Sequence, residues 1–423
     1  DSIETSRDNL FDVMHILAKK NSNMFKSIQR NLSKTTSPDA VWVTGGSTVA
    51  AFLMMFQIYM VAPIIDDIAN SFYCGHGIMP LIIPAMTIPL GLSALLSGKI
   101  TSYLGERNFA RGTVLALAAG SLAMALSPSA ALIIVFRVLT GLALGGLLPL
   151  SFRFIAQNFP ISNRFFPVMI IVFGMAGGMT FGPVLGAICL PYIGWRTEFL
   201  VISILCLIFF FWMNHYAYLI ENQLRGEKGI SFFNKVKEGK FCSGGSLCIL
   251  IFILLNGVFH SGLFVWTSGV LTERYHLGDI PAGMLLLDFG LPGLLLVVML
   301  GFFSKSQSSI KLEFTGLAIL ALCIMLVMLK INPWMTFLGV ALLSIGYNIT
   351  QPLFFGIVGR MANTHKAQVA VQLGCCFLFV GYGLGPLIFG WLMSQGSLSS
   401  VLFLLFLTAC LASISRAIFQ DEG

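Results

Sequence analysis

Runs of roughly twenty apolar residues recur from residue 41 to residue 418, parted by short polar breaks, and roughly twenty is the length a helix needs to cross the hydrocarbon core of a bilayer. Twelve spans follow from that rule, at 41–65, 78–98, 112–127, 131–158, 165–192, 199–220, 244–268, 281–303, 314–330, 334–358, 367–393 and 398–418. The third is short and is expected to extend into its flanks. Composition agrees, with 57% of residues hydrophobic and 10% charged, where a soluble chain carries about 25% charged residues. The expected fold class is an all-α polytopic membrane protein, with twelve transmembrane helices in two pseudo-symmetric six-helix bundles.

Sidedness is read from basic residues, which concentrate in cytoplasmic loops. With the N-terminus inside, the inner segments hold 21 of the 25 Lys and Arg residues; the outer loops hold Arg196, Arg274 and Lys330, and Arg137 lies within a span. Both termini are therefore expected in the cytoplasm. This loop bias accounts for the formal net charge of +7, so the lipid bilayer is the expected partner and nucleic acid is not. The longest internal break, 221–243, is polar and basic and parts a first half, 41–220, from a second, 244–418. Residues 1–40 read as a solvated cytoplasmic tail without the pattern of a cleaved leader, and 419–423 as the cytoplasmic C-terminus. The fifth span of each half carries one signature, Gly178-x-x-x-Gly182-Pro183 and Gly381-x-x-x-Gly385-Pro386, as duplication of a half would leave behind.

Ionisable groups inside hydrocarbon are costly and, for that reason, usually functional. Arg137 lies six residues into the fourth span, ahead of Gly141, Gly145, Pro149 and Ser151. It either reaches back to the outer interface or is held in a close helix contact that those glycines clear. A buried guanidinium there lowers the proton affinity of a nearby acid or attracts an anionic group. Asp288, in the eighth span, is the one acid well inside a span. It is a candidate proton site, with local capping near the mouth as the alternative. His260, midway along the seventh span, titrates near neutrality in its ordinary state and is a third candidate, with plain packing as its alternative. Gln57, Asn256, Asn348 and Gln351 offer hydrogen bonds near mid-membrane, and Tyr59, Trp266 and Tyr347 offer aromatic walls. These are the candidates for a substrate cavity. Asp66 and Asp67, at the outer end of the first span, read as solvated end charges. The nine cysteines have no metal-ligand spacing, so neither a metal nor a cofactor is expected. The sequence has no Gly-x-x-x-x-Gly-Lys-Ser/Thr phosphate loop, and its polar segments are too short for a catalytic domain, so no enzyme is expected.

Several of these stretches resemble the major facilitator superfamily, in its drug:proton antiporter branches. Arg137…Gly141…Gly145…Pro149-x-Ser151, with Phe159-Pro160 and Arg164, is similar to the fourth span of the multidrug exporters. Gly178…Gly182-Pro183…Gly186, with Ala187 where a second glycine is usual, is similar to the antiporter motif, and Trp195-Arg196-x-x-Phe199 fits the loop that follows. The match is specific across 131–199 and architectural elsewhere. It implies two bundles around a central cavity, rocker-switch alternating access, and conformational roles for these glycines and prolines. The sequence also departs from the family pattern. After the second span the family has Gly-x-x-x-Asp-Arg-x-Gly-Arg-Arg; this chain reads Gly98-Lys-Ile-Thr-Ser102-Tyr103-Leu-Gly105-Glu106-Arg107. The cytoplasmic gating loop thus keeps Gly98, Gly105 and Arg107 and lacks the latch acid. Nine residues before Pro63, where relatives often carry an acid, stands Met54.

The expected function is secondary active transport: proton-coupled export of small amphipathic or organic molecules across a bacterial-type inner membrane, by a monomer whose partners are its small-molecule substrate and protons. In that scheme a proton from outside occupies Asp288. The fifth-span glycines and Pro183 make the close contact between bundles that seals the outward path. Two alternatives stay open. One is proton-coupled uptake or exchange of an anionic metabolite or chelator, which Arg137 and the missing first-span acid favour. The other is a non-transporting receptor or scaffold that uses the tail.

Overall fold

The computed structural model describes residues 38–73, 81–160, 164–223, 244–275, 287–288, 290–295, 334, 338–342, 344–346 and 365–394. Every regular element among them is helical. In chain order these are α1 (Pro38–Tyr59), a 3-10 turn (Ala62–Ile64), α2 (Ile65–Ser71), α3 (Pro84–Ala94), α4 (Ser97–Leu104), α5 (Glu106–Ala125) and α6 (Ala130–Leu144). They continue with α7 (Leu147–Asn158), α8 (Phe165–Gln223), α9 (Gly244–Tyr275) and α10 (His365–Ser394). The stretches Asp39–Ser71, Ala130–Asn158, Phe166–Asn214 and Val369–Leu392 are long and apolar enough to cross a membrane. The chain divides into two units, Asp1–Trp42 and Val43–Gly423, and the helix packing below belongs to the second. The ninth and twelfth spans, the tail before residue 38, most of the linker and the C-terminus lie outside the described residues.

Local chemistry explains where the helices stop. Pro63, which cannot donate to a helical ladder, lies in the 3-10 turn between α1 and α2. The fourth span is two helices, parted at Gly145 and Gly146, with Pro149 in the first turn of α7, where a missing N–H is tolerated. Ser129 caps α6 by accepting a hydrogen bond from the Leu132 N–H. The third span extends on its N-terminal side, α5 starting at Glu106. The fifth and sixth spans run together in α8 and are parted at Gly194, whose φ of 71° suits a residue without a Cβ.

The segment after Gly194 ties several helix ends together. Trp195 Nε1 donates to Ser71 Oγ at 2.9 Å. Arg196 Nη1 donates to the Ala125 and Ser127 carbonyls at 3.0 and 2.8 Å, and its guanidinium lies over the Trp195 and Phe72 rings at 4.3 and 5.4 Å. Two of these acceptors close the end of α5, where carbonyls lack intrahelical donors. A loop signature legible in the sequence thus acts as a clamp on the first, third, fifth and sixth spans.

Closer to mid-span, glycines bring backbones into contact at a four-residue period. A Cβ added at Gly174, Gly178, Gly182 or Gly186 would collide with the carbonyl oxygen of Thr48, Phe52, Phe56 or Met60 respectively, at 2.7 Å for Gly182 and 2.8 Å for Gly186. The second half repeats the arrangement: Gly381 and Gly385 sit on the Leu254 and Val258 carbonyls. The fifth span therefore packs on the first, and the eleventh on the seventh. Both contacts lie inside a half, which corrects the expectation that the fifth-span glycines make the close contact between the bundles. Their clear face is already filled by the backbone of α1. Across the halves, α3 packs on α10. A Cβ at Gly91 would lie 2.8 Å from the Cys376 oxygen, and one at Gly383 2.7 Å from Thr87 Oγ1.

Glycine-to-alanine substitutions should divide along these lines. Gly178→Ala, whose Cβ meets the Phe52 carbonyl, should lose about 1–3 kcal/mol, the usual cost of overpacking. Gly45→Ala, with nothing within 4 Å of the new atom, should gain about 0.5–1 kcal/mol from lower backbone entropy in a helix interior. Thermal unfolding of the two purified variants in one detergent checks the pair.

Candidate functional site

Arg137 is 1% exposed and points into the first half. Its Nη1 donates to the Gln57 carbonyl at 3.0 Å and to Met86 Sδ at 3.1 Å, and its guanidinium lies 5.6 Å from the centroid of the Phe199 ring. The acceptor has a clear origin. α1 ends at Tyr59, so Gln57 offers one of the last four carbonyls of a helix, which have no donor of their own. The same end carries the negative pole of the helix dipole. Nε and Nη2 make no hydrogen bond, and no carboxylate pairs with Arg137, among the described residues. Inserting an arginine at a span centre costs about 2.5–3.5 kcal/mol. A charge-assisted hydrogen bond of about 1.5–3 kcal/mol and a desolvated cation–π contact of about 2 kcal/mol are enough to offset that. Gly141 and Gly145 allow it, because Cβ atoms there would collide with the Met86 carbonyl and with Ser93 and Ala94 of α3.

Gln57 is buried and turned away from the other half: its Nε2 donates to Ser121 Oγ at 2.6 Å, while its Oε1 has no partner among the described residues. Tyr59 does reach the second half. It is 0% exposed, and its hydroxyl donates to Ser261 Oγ at 3.1 Å, which donates in turn to the Tyr382 carbonyl at 2.7 Å. Around that relay, Tyr59 meets the Phe264 and Tyr382 rings edge-on, with centroids 5.3 and 6.3 Å away. His260 lies 6.4 Å from Phe264 and 6.3 Å from Tyr382. Tyr59 and His260 thus belong to one aromatic seam that joins the two halves. At the other end of the α3–α10 contact, Gln372 Nε2 donates to Ser97 Oγ at 3.1 Å.

The remaining candidates are dispersed. Asn256 is buried one turn before His260, and its Nδ2 has no partner among the described residues. Trp266 braces the second half internally, donating to the Pro386 carbonyl at 2.9 Å. Asp288 is half-buried, with Oδ2 unbonded among the described residues, close to the point where Gly290 meets Thr180 of the fifth span. Tyr347, Asn348 and Gln351 lie outside the described residues. In the gating loop, Gly98 is buried in α4, Gly105 has φ 76°, and Arg107 lies in the first turn of α5. The latch position itself is Ser102, and an acid of the same loop, four residues on, makes an ion pair. Glu106 Oε1 accepts from Arg153 Nη1 at 3.2 Å, linking α5 to α7. Sequence reading passed over Glu106, Ser261 and Gln372; only the position of Glu106 beside Gly105 could have drawn attention.

A family model described as Major Facilitator Superfamily matches residues 48–374. The uncharacterized MFS-type transporter YybF of Bacillus subtilis (strain 168) is 26% identical over 361 residues, covering 82% of this chain and 85% of its own. The multidrug resistance protein B homolog of Mycobacterium tuberculosis (strain CDC 1551 / Oshkosh) is 38% identical over 106 residues, which is 25% of this chain and 19% of that protein. Among solved structures, the human organic anion transporter MFSD10 (TETRAN) matches with a TM-score of 0.68 at 17% identity, covering 89% of this chain and all of that one. At that identity the likeness is one of fold.

The Tyr59 relay predicts a conformational effect. Tyr59→Phe removes the hydroxyl and keeps the ring, at a loss of about 0.5–1.5 kcal/mol for one hydrogen bond, or roughly a two- to tenfold shift toward opening at this seam. Ser261→Ala should act alike, and the double variant should add little. Labelling rates of a cysteine placed at Phe264 in each background measure the shift.

Proposed function

Because the chain belongs to the Major Facilitator Superfamily, we propose that it exports small amphipathic organic molecules in exchange for protons, by alternating access between its two halves. Membership makes it an integral membrane transporter of small molecules and not an enzyme; direction, coupling and substrate class are the proposal. The observation that carries it is the similarity to the multidrug resistance protein B homolog, a higher identity than the full-length relative reaches.

In this reading the chain works as a monomer in a bacterial-type inner membrane, with halves 41–220 and 244–418. Both termini and the linker 221–243 are cytoplasmic, as the distribution of Lys and Arg supports. The Tyr59–Ser261–Tyr382 seam then lies toward the outside and the Ser97–Gln372 contact toward the cytoplasm. Transport needs each to open while the other holds. A proton bound in the cavity, with Asp288 as the acid there, and a bound substrate favour different orientations of the halves, so each weakens the other. One observation favours a second reading, uptake or exchange of an anion: Arg137 is a buried cation with no carboxylate beside it among the described residues.

Everted membrane vesicles separate the two. With an acid interior, ethidium should accumulate in vesicles carrying this protein and not in empty ones, and collapse of the gradient should release it. Benzoate uptake into right-side-out vesicles driven by external acid, with no ethidium movement, would transfer the assignment to the anion reading.

Arg137 tests both readings at once. Arg137→Ala should abolish transport and leave the amount of protein in the membrane unchanged, since neighbouring spans insert without that charge. Lys should restore only part, because it lacks the planar fork of donors. Normal transport by the Ala variant would reduce Arg137 to a packing group.

A further inference from the structure

Glu198 lies in the connection between the fifth and sixth spans, four residues past the Gly194 break. It is 6% exposed, yet neither carboxylate oxygen accepts a hydrogen bond among the described residues. An ionised carboxylate in such a place is penalised far more than its neutral form. The side chain cannot easily turn away, because its neighbours are committed. Trp195 is bonded to Ser71, and Phe199 is fully buried against Trp195, with ring centroids 6.4 Å apart.

The charged groups that bear on it sit on α2 and on its own segment. Asp67, exposed on α2 beside Asp66, acts on Glu198 as a like charge. Arg196, on the same segment, is spent on the Ala125 and Ser127 carbonyls. Burial first, and Asp67 second, push the Glu198 acid up to about 7.

We propose that Glu198 is a proton-binding site of this transporter, loaded from the surface at Asp67. The step is simple protonation: the carboxylate takes a proton from water, becomes a neutral acid, and returns the proton to water. Neutral Glu198 removes the repulsion with Asp67. As a coupling site it rests on the proton-driven reading above; as a titrating site it does not.

Two measurements keep those apart. In the purified full-length protein, the folded state holds the Glu198 proton above the acid's ordinary value of 4.5 and up to about 7, whereas the unfolded chain releases it earlier. Stability should therefore be full below the ordinary value, fall as pH rises through that window, and level off above it. Glu198→Gln should flatten that part of the melting-temperature profile, Glu198→Asp should keep it, and Asp67→Asn should make it level off at lower pH. A Gln variant with the native profile overturns the proposal. The second measurement is gradient-driven ethidium accumulation in everted vesicles, which the Gln variant should lose. If native protein ignores the gradient while the melting profile still depends on Glu198, the proton-driven reading fails and the proton site stands. If native protein responds and the Gln variant responds equally, the coupling role is overturned.

Discussion

A guanidinium inside a helical bundle must meet either a counter-charge or oriented dipoles, and at Arg137 the carbonyl end of α1 supplies the dipoles. Much of the first half follows from that requirement. α1 has to end near Tyr59 so that the Gln57 carbonyl is free, and Pro63 sits just beyond. The fourth span has to lie against the second closely enough for Met86 to be reached, which Gly141 permits. The sixth span has to bring Phe199 under the cation. Met54, where relatives often carry an acid, is consistent with this economy, because a helix terminus stabilises a cation without adding a second buried charge.

Inside each half, backbones touch at glycines over successive turns; between halves a close backbone approach occurs at Gly91, and the polar contacts described are single bonds from hydroxyl or amide side chains. The difference matters in a bilayer, where helices associate through packing and hydrogen bonds and gain no hydrophobic drive from leaving lipid. Close-packed halves resist deformation, and the joins at Tyr59–Ser261 and Gln372–Ser97 are each of the order of 1 kcal/mol.

Spans, the internal repeat and the signatures of the fourth and fifth spans were legible because they rest on hydropathy and on residues with unusual backbones. The neighbours of those signatures were not. Periodicity tells which residues share a face and is silent on what that face meets, so the fifth-span glycines could be read as a close contact but not as a contact with α1. Gln57 and Trp266 show the same limit: each was named for its chemistry, and each bonds within its own half. Gly91 and Gly383 form no motif, since one glycine from each of two distant helices leaves no spacing to notice. Glu198 escaped as one acid in a loop signature whose recognised letters are Trp195, Arg196 and Phe199. Tyr59 was chosen for its ring, and its hydroxyl proved the more informative part.

The clamp after Gly194 also bears on biogenesis. Ser71, Phe72, Ala125 and Ser127, the groups held by Trp195 and Arg196, all precede them in the chain. By the time this segment leaves the ribosome, every partner has already been synthesised and delivered to the membrane. Domains fold as units, N-terminal first during synthesis. Phe199, which completes the shelter around Arg137, follows three residues after Arg196. The first half can therefore lock its own assembly before any span of the second half exists.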